Sequence, residues 1–215
     1  MHSNFSQKEK SRKRIKLFLE KIQNRIMKKD IILAGVGGQG ILSIAAIIGF
    51  AALEKNLFIK QSEVHGMSQR GGAVESHLRI SSNEIASDLI PLGQADIILS
   101  IEPMESLRYL PFLSPDGWII TNTTPFINIP NYPDIDVLLA QIKSYKNVIT
   151  IDADDIAKKS GSQKSSNVVL LGAAAKYLEI SIENLENGIR KLFGRKGEDV
   201  INKNIAALRA GAKDC

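Results

Sequence analysis

The chain has 215 residues, 44% of them hydrophobic and 24% charged, with 16 glycines and seven prolines. That composition excludes collagen-like, disordered and disulfide-scaffold classes, and a domain of this length buries roughly 70% of its unfolded surface without a metal or disulfide staple. The single cysteine, Cys215, makes no internal disulfide and cannot hold an iron–sulfur cluster, while the formal charge of +5 raises the question of an anionic partner.

The charge is unevenly placed. Residues 1–26 hold eight Lys or Arg against two Glu, and residues 27–215 hold 20 basic against 21 acidic side chains. The near-neutral remainder gives a nucleic-acid partner no support. Within 1–26, Ile15, Phe18, Leu19, Ile22 and Ile26 recur at helical spacing while Lys13, Arg14, Lys16, Lys21 and Arg25 take other positions. The pattern predicts a basic amphipathic helical extension. It is either a membrane-surface or partner-docking helix, or a solvated extension, or an artefact of an upstream start codon, with Met27 opening the domain proper. No apolar stretch of the roughly 7–15 residues of a signal peptide is present near the start, so the expected location is cytoplasmic.

From Met27 onward strands alternate with helices. Asp30–Ala34 is short and apolar, as in a buried parallel strand. Ile31 to Leu53 carries no formal charge, but its five glycines, four of them within 35–40, divide it into strand, turn and apolar helix rather than a membrane span. The helix is expected over 41–56. Leu57–Glu63 reads as a strand running into a polar loop through Gly72. Ala73–Ile80 alternates, with Val74, Leu78 and Ile80 on one face and Glu75, His77 and Arg79 on the other, which predicts a half-exposed strand, antiparallel to its neighbours.

Ala95–Ile101 and Trp118–Thr121 are further buried strands separated by a short helix from Pro103 to Leu110. A proline-rich loop over 123–133, a helix over 136–145 and a strand over 148–152 follow. The C-terminal third reads as helices near 154–160, 167–178, 182–193 and 199–208. This order predicts an α/β fold: a doubly wound, Rossmann-like, mostly parallel sheet with a C-terminal helical cap, preceded by the N-terminal helical extension.

Gly35-Val36-Gly37-Gly38-Gln39-Gly40 satisfies G-x-G-x-x-G between a strand and a helix. Such glycines let a ligand approach backbone N–H groups, and the helix N-terminus adds partial positive charge for a phosphate. Alternatively they only pack the helix close to the sheet. Glu63, at the end of the second strand, stands where a dinucleotide site would place its ribose-binding acid. It opens a second loop, Glu63-Val64-His65-Gly66-Met67-Ser68-Gln69-Arg70-Gly71-Gly72, too rich in polar function to be a mere connection. Arg70, with glycines after it, suits an anion or a partner's carboxylate. His65 is a hydrogen-bonding group that could titrate near neutrality. Asn167 sits at a predicted helix start, where capping and ligand contact are both open.

These two glycine loops and Ser-Asn-Val-Val-Leu-Leu-Gly at 166–172 resemble the gamma-type domain of the 2-oxoacid:ferredoxin oxidoreductases, in register over 27 to about 210. The His-Gly-Met-Ser-Gln form of the second motif is most similar to the beta subunits of indolepyruvate ferredoxin oxidoreductases. Gamma subunits acting on 2-oxoglutarate or pyruvate more often carry Tyr-Gly and an acid there. The resemblance implies oxidative decarboxylation of a 2-oxoacid to an acyl-coenzyme A, using thiamine diphosphate and passing electrons through iron–sulfur clusters to ferredoxin. This chain has neither a cysteine cluster nor a Gly-Asp-Gly…Asn motif for the magnesium diphosphate. The implied role is therefore a smaller subunit, inactive alone and binding no such cofactor itself. Thiamine diphosphate, magnesium and the clusters would sit on a large catalytic subunit, with coenzyme A at the interface. On this resemblance Gly35, Gly37, Gly38 and Gly40 shape the first loop, and Gln39 offers an amide to a partner or ligand. Glu63, His65, Ser68, Gln69, Arg70, Gly71, Gly72 and Asn167 would face the catalytic subunit or coenzyme A, and no residue takes a proton-transfer or nucleophilic role. A 2-oxoglutarate-type gamma subunit and a stand-alone nucleotide-binding protein are the alternatives.

Overall fold

The computed structural model describes residues 27–65 and 72–214, with His65 placed by its backbone alone. The expected extension over 1–26 lies outside the described residues.

Six strands form one sheet in the order β2-β3-β1-β4-β5-β6. They are β1 (Lys28–Val36), β2 (Phe58–His65), β3 (Ala73–Ser81), β4 (Ala95–Ser100), β5 (Leu113–Asn122) and β6 (Val148–Ile151). Only β3 runs against the others, paired antiparallel with both β1 and β2, while β1·β4, β4·β5 and β5·β6 are parallel. The sheet is mostly parallel, as the alternation predicts. Seven α-helices are present among the described residues: α1 (Ile41–Glu54), α2 (Pro103–Arg108), α3 (Ile135–Lys143), α4 (Ala153–Lys159), α5 (Ser166–Leu178), α6 (Ile182–Phe193) and α7 (Glu198–Lys213).

The central strands are apolar throughout because both of their faces are covered. Side chains alternate with period two: Ile31 and Leu33 of β1, and Ile97 and Leu99 of β4, join the core beneath α1 and α5. Ile32, Ala34 and Ile98 join a second core on the opposite face. There α2 and α3 complete the cover, with Leu138 and Ile142 of α3 packed against Ile119 of β5. Helices thus cover both faces of the sheet, which makes it doubly wound.

The expected C-terminal helical cap is present as a layer over one face of the sheet. Tyr177 of α5 packs on Trp118 of β5 with ring centroids 4.3 Å apart, and α7 crosses α5 on its outer side. That crossing is glycine-specified: a Cβ on Gly172 would lie 2.1 Å from the Leu208 carbonyl oxygen, and one on Gly211 would lie 1.9 Å from that of Val169. The last residue of the third motif is thereby explained as helix packing.

One expectation is corrected. The second face of β3 is largely covered rather than half-exposed, with His77 buried and Glu75 and Arg79 partly buried. His77 is 4% exposed, stands edge-on to Phe112 at 5.1 Å and accepts the Ile90 N–H at Nδ1. The loop through Ser87, Leu89 and Ile90, together with Phe112, covers this face. Arg79 lies in the same cover, donating to both oxygens of the buried Asp30 carboxylate at 2.7 and 3.1 Å and to the carbonyls of Ser87 and Leu89. β5 also begins five residues earlier than expected, because Pro115 and Gly117 conceal a strand that stays paired through a register shift at Ala95–Ile97. The uncharged run from Ile31 to Leu53 divides between β1, a glycine turn and α1, and no described helix is long and apolar enough to cross a membrane.

Candidate functional site

β1, β2, β4 and β5 all end at one edge of the sheet, and the order of connections reverses between β1 and β4, the usual place for a ligand crevice in such folds. The first glycine loop leaves β1 there. Its turn is stapled by its own side chain: the Val36 N–H donates to Gln39 Oε1 at 2.7 Å, and the Gln39 N–H donates to the Val36 carbonyl at 3.1 Å. A Cβ on Gly35 would lie 2.8 Å from Gln39 Oε1, so the small residue there lets the glutamine fold back. The Gln39 carbonyl oxygen is therefore committed to the loop. Gly40, at φ 84, caps α1 in the left-handed region that glycine adopts without strain.

The second motif reaches the same place. The Gly37 N–H donates to the Gly72 carbonyl at 2.9 Å, joining the two loops through their backbones. A cleft of about 290 Å³ lies alongside, walled by residues 36–38 and 40–42 with Glu63 of β2 and Val74 of β3. Of these Leu42 is exposed, as is Val64 next to Glu63 in β2. The side chain of His65 and residues Ser68, Gln69, Arg70 and Gly71 lie outside the described residues, so only the two ends of this motif are placed.

The third motif arrives from 127 residues away. Asn167 Nδ2 donates to the Gly40 carbonyl at 3.1 Å, and its Oδ1 accepts the Val168 N–H at 3.0 Å. The asparagine is 8% exposed; it straps α5 to the glycine loop, takes up one N–H of the helix's first turn and lines the cleft beside that loop.

Between loop and strap lies a larger cleft of about 430 Å³. α1 and α5 both start at it, neither with a cap bond from its N-cap residue nor with an acidic residue in its first turn, so both helix dipoles favour an anion there. Lys164, Lys196 and Lys203 line the cleft with one carboxylate, Asp199. Lys203 is paired with Asp199 at 2.6 Å, whereas Lys164 and Lys196 have no carboxylate partner among the described residues. Lys196 Nζ stands 5.2 Å from the ring centroid of Phe193, which also lines the cleft. Sequence reasoning missed these residues. The visible signal was Gly161-Ser-Gln-Lys-Ser-Ser166, a small polar stretch directly before an apolar helix.

A second missed residue is Glu102, fully buried directly after β4. Its Oε2 accepts the Glu105 N–H at 3.0 Å as the cap of α2. Its Oε1 accepts the Tyr132 hydroxyl and the Phe126 N–H, clasping the 123–133 loop by two points. Burial pushes the Glu102 carboxyl above its ordinary value, against hydrogen bonds from Tyr132, Glu105 and Phe126 that pull it down. Burial and the Glu102 carboxylate together raise the Tyr132 phenol.

The family model of the pyruvate ferredoxin/flavodoxin oxidoreductases matches residues 30–213. Indolepyruvate oxidoreductase subunit IorB of Archaeoglobus fulgidus is 37% identical over 194 residues, 86% of this chain and 94% of that protein. 2-Oxoglutarate synthase subunit KorC of Methanothermobacter marburgensis is 29% identical over 187 residues, again 86% of this chain and 95% of its own length. Among solved structures, the 2-oxoglutarate:ferredoxin oxidoreductase of Magnetococcus marinus, with 2-oxoglutarate, coenzyme A and succinyl-CoA bound, superposes with a TM-score of 0.70 at 23% identity. That likeness speaks for the fold, and covers 86% of this chain but 30% of the other, much longer one. The family match runs from the third residue of β1 to the last of α7, taking in both glycine loops and the asparagine strap, and the chain belongs to the pyruvate ferredoxin/flavodoxin oxidoreductase family.

Proposed function

We propose that this chain is the smaller subunit of an indolepyruvate-type 2-oxoacid:ferredoxin oxidoreductase, working in the cytoplasm with a large catalytic subunit that passes electrons to ferredoxin. The observation that carries this reading is the convergence of three motifs, far apart in sequence, on one sheet edge through Gly37–Gly72 and Asn167–Gly40. The 37% identity to IorB favours an aryl 2-oxoacid over 2-oxoglutarate.

The cofactors of such an enzyme do not fit this chain. One cysteine offers no thiolate set for a cluster, and no group of three or more His, Cys, Asp or Glu among the described residues could hold the magnesium of a diphosphate. The reading assigns both to the partner, where thiamine diphosphate would supply the decarboxylation chemistry. Coenzyme A does fit: a phosphate finds backbone N–H groups, two helix N-termini and lysines around the first glycine loop. The subunit's own work is then to bind and orient coenzyme A at the interface, and through 63–72 to meet the catalytic subunit.

Co-expression with the large subunit tests this. A stable complex that oxidises indolepyruvate in a coenzyme A-dependent way is the expected result. Preference for 2-oxoglutarate across a panel of 2-oxoacids would move the chain to the other gamma subunits. No complex, with tight NAD binding by the isolated chain, would overturn the subunit reading altogether.

A further inference from the structure

We infer that the loop over 123–133 is a second docking surface for the large catalytic subunit, with Phe126 and Ile127 as its apolar anchors. This rests on the subunit reading above, and adds to it where, outside the two glycine loops, the partner is held.

The loop is uncharged from end to end, and Pro125, Pro130 and Pro133 keep it out of helix and sheet. Phe126 is 45% exposed and Ile127 71%, with Ile129 exposed as well. Three large apolar side chains facing water within four residues give a lone subunit no benefit, and a patch of this kind marks a contact surface. The loop cannot fold them under, because it is already fixed. Buried Glu102 accepts the Phe126 N–H at 3.4 Å and the Tyr132 hydroxyl on one oxygen, and Tyr132 packs inward against the core beneath α3. A loop ordered before association loses less entropy when it binds.

Its position joins it to the glycine loops. It leaves β5 at the carboxyl edge of the sheet, two strand spacings from the end of β1, which is about 10 Å. The segment after β4 ties the two together: the Ile101 N–H donates to the Ala34 carbonyl at 3.0 Å, and Glu102 holds Phe126. The apolar loop therefore continues the edge that 63–72 presents to the catalytic subunit, an edge at which Leu42 and Val64 are exposed as well. Chemistry selects the occupant. A membrane surface would call for Lys or Arg beside the apolar side chains, whereas the nearest charges in sequence are Asp116 and Asp134. A brief electron-transfer encounter uses a small interface guided by charge, and this loop has none. The centre of a lasting subunit interface is apolar, aromatic and poor in charge, and that is the match.

The test measures the Kd between the full chain and its large subunit. The Phe126→Ser/Ile127→Ser double variant is compared with wild type and with Leu92→Ser, an exposed leucine just before β4 at the opposite edge of the sheet. Loss of the anchors is expected to raise Kd by about thirtyfold or more, while Leu92→Ser stays within about twofold. Ile127→Asp alone, at the most exposed position of the loop, should raise it by about tenfold or more and guards against a double variant that fails to fold. The thermal midpoint of the isolated Ile127→Asp chain should stay within about 2 °C of wild type. At large-subunit concentrations that saturate the variants, the KM values for the 2-oxoacid and for coenzyme A should match wild type, which separates docking from damage to the site. Unchanged Kd in the folded variants, or an equal loss with Leu92→Ser, would overturn the inference and leave the subunit reading standing. Self-association of the isolated chain that these variants abolish, with binding to the large subunit intact, would assign the loop to a second copy and overturn the inference as well. A wild-type chain that forms no complex would overturn the reading, and this inference with it.

Discussion

Asn167 shows how a single side chain can matter for reasons that its neighbours in sequence do not reveal. Read locally, it stands at a helix start and invites a choice between cap and ligand contact; the structure places its amide on the Gly40 carbonyl, 127 residues away. The same closeness constrains Gly40, whose Cβ, if it had one, would lie 2.5 Å from Asn167 Nδ2 in a left-handed conformation. Asn167→Ala should cost about 1 kcal/mol for the lost hydrogen bonds. Gly40→Ala should cost more, combining the clash with left-handed strain of roughly 1–2 kcal/mol. In the double variant the clash disappears and the strain remains, so its cost should fall below the sum of the two singles. Urea melts of the three proteins give the coupling directly, and strictly additive costs would sink the strap. Glu102 makes a second prediction. Its carboxyl is raised by burial, so its contribution to stability is complete below the unfolded pKa and is lost as the pH rises through the folded value. Glu102→Gln mimics the neutral acid: its one carbonyl oxygen can still accept the Glu105 N–H, its amide NH2 then donates to the Tyr132 oxygen, and it carries no charge. Its melting temperature relative to wild type should therefore climb as the pH rises above the ordinary carboxylate range of about 4. A difference that stays flat across thermal melts as the pH rises would show that the clasp does not titrate.

Secondary structure elements were legible where one rule governed them. The apolar run of β1, the glycine turn and the uncharged α1 could be read because a strand buried on both faces and a helix pressed on a sheet have few other solutions. β3 was misread on one face for a definite reason. Alternation of Glu75, His77 and Arg79 against apolar neighbours looks the same whether polar side chains meet water or are satisfied inside, and here Asp30, the Ile90 N–H and the Ser87 and Leu89 carbonyls satisfy them. No local pattern distinguishes the two. The crossing of α5 and α7 was equally hidden, since a glycine within a helix signals weakness until its opposite number is known. Gly211→Ala would push Cβ against backbone rather than against a side chain that could turn away, so its cost should reach or exceed the upper end of the about 1–3 kcal/mol typical of overpacking. Gly172→Ala acts at the same crossing. Once one substitution has separated the helices, the second should cost less than it does alone. Urea midpoints of both singles and the double would show this, and full additivity would mean that the two glycines do not share one contact.

At the scale of the whole molecule, the charge that first pointed outward belongs to residues 1–26, whose balance of eight basic to two acidic side chains exceeds the net charge of the entire chain. The family match begins at residue 30, and the lysines left in the domain include those gathered at the cleft beside α5. Basicity within residues 27–215 is therefore local, gathered in part at that cleft. A chain shortened to begin at Met27 carries 20 basic and 21 acidic side chains, so at neutral pH it should bind an anion exchanger that the full chain passes through. Any retention of the full chain on DNA should be steeply salt-dependent and should vanish on shortening, as expected of phosphate contacts made by an unspecific basic segment. Stability should not follow the charge: with the sheet and its covering helices complete from Met27 onward, the thermal midpoint should stay within about 2 °C, and assembly with the large subunit should persist because both glycine loops and the asparagine strap are retained. Loss of the complex on shortening, with the midpoint unchanged, would instead make the extension part of the subunit interface.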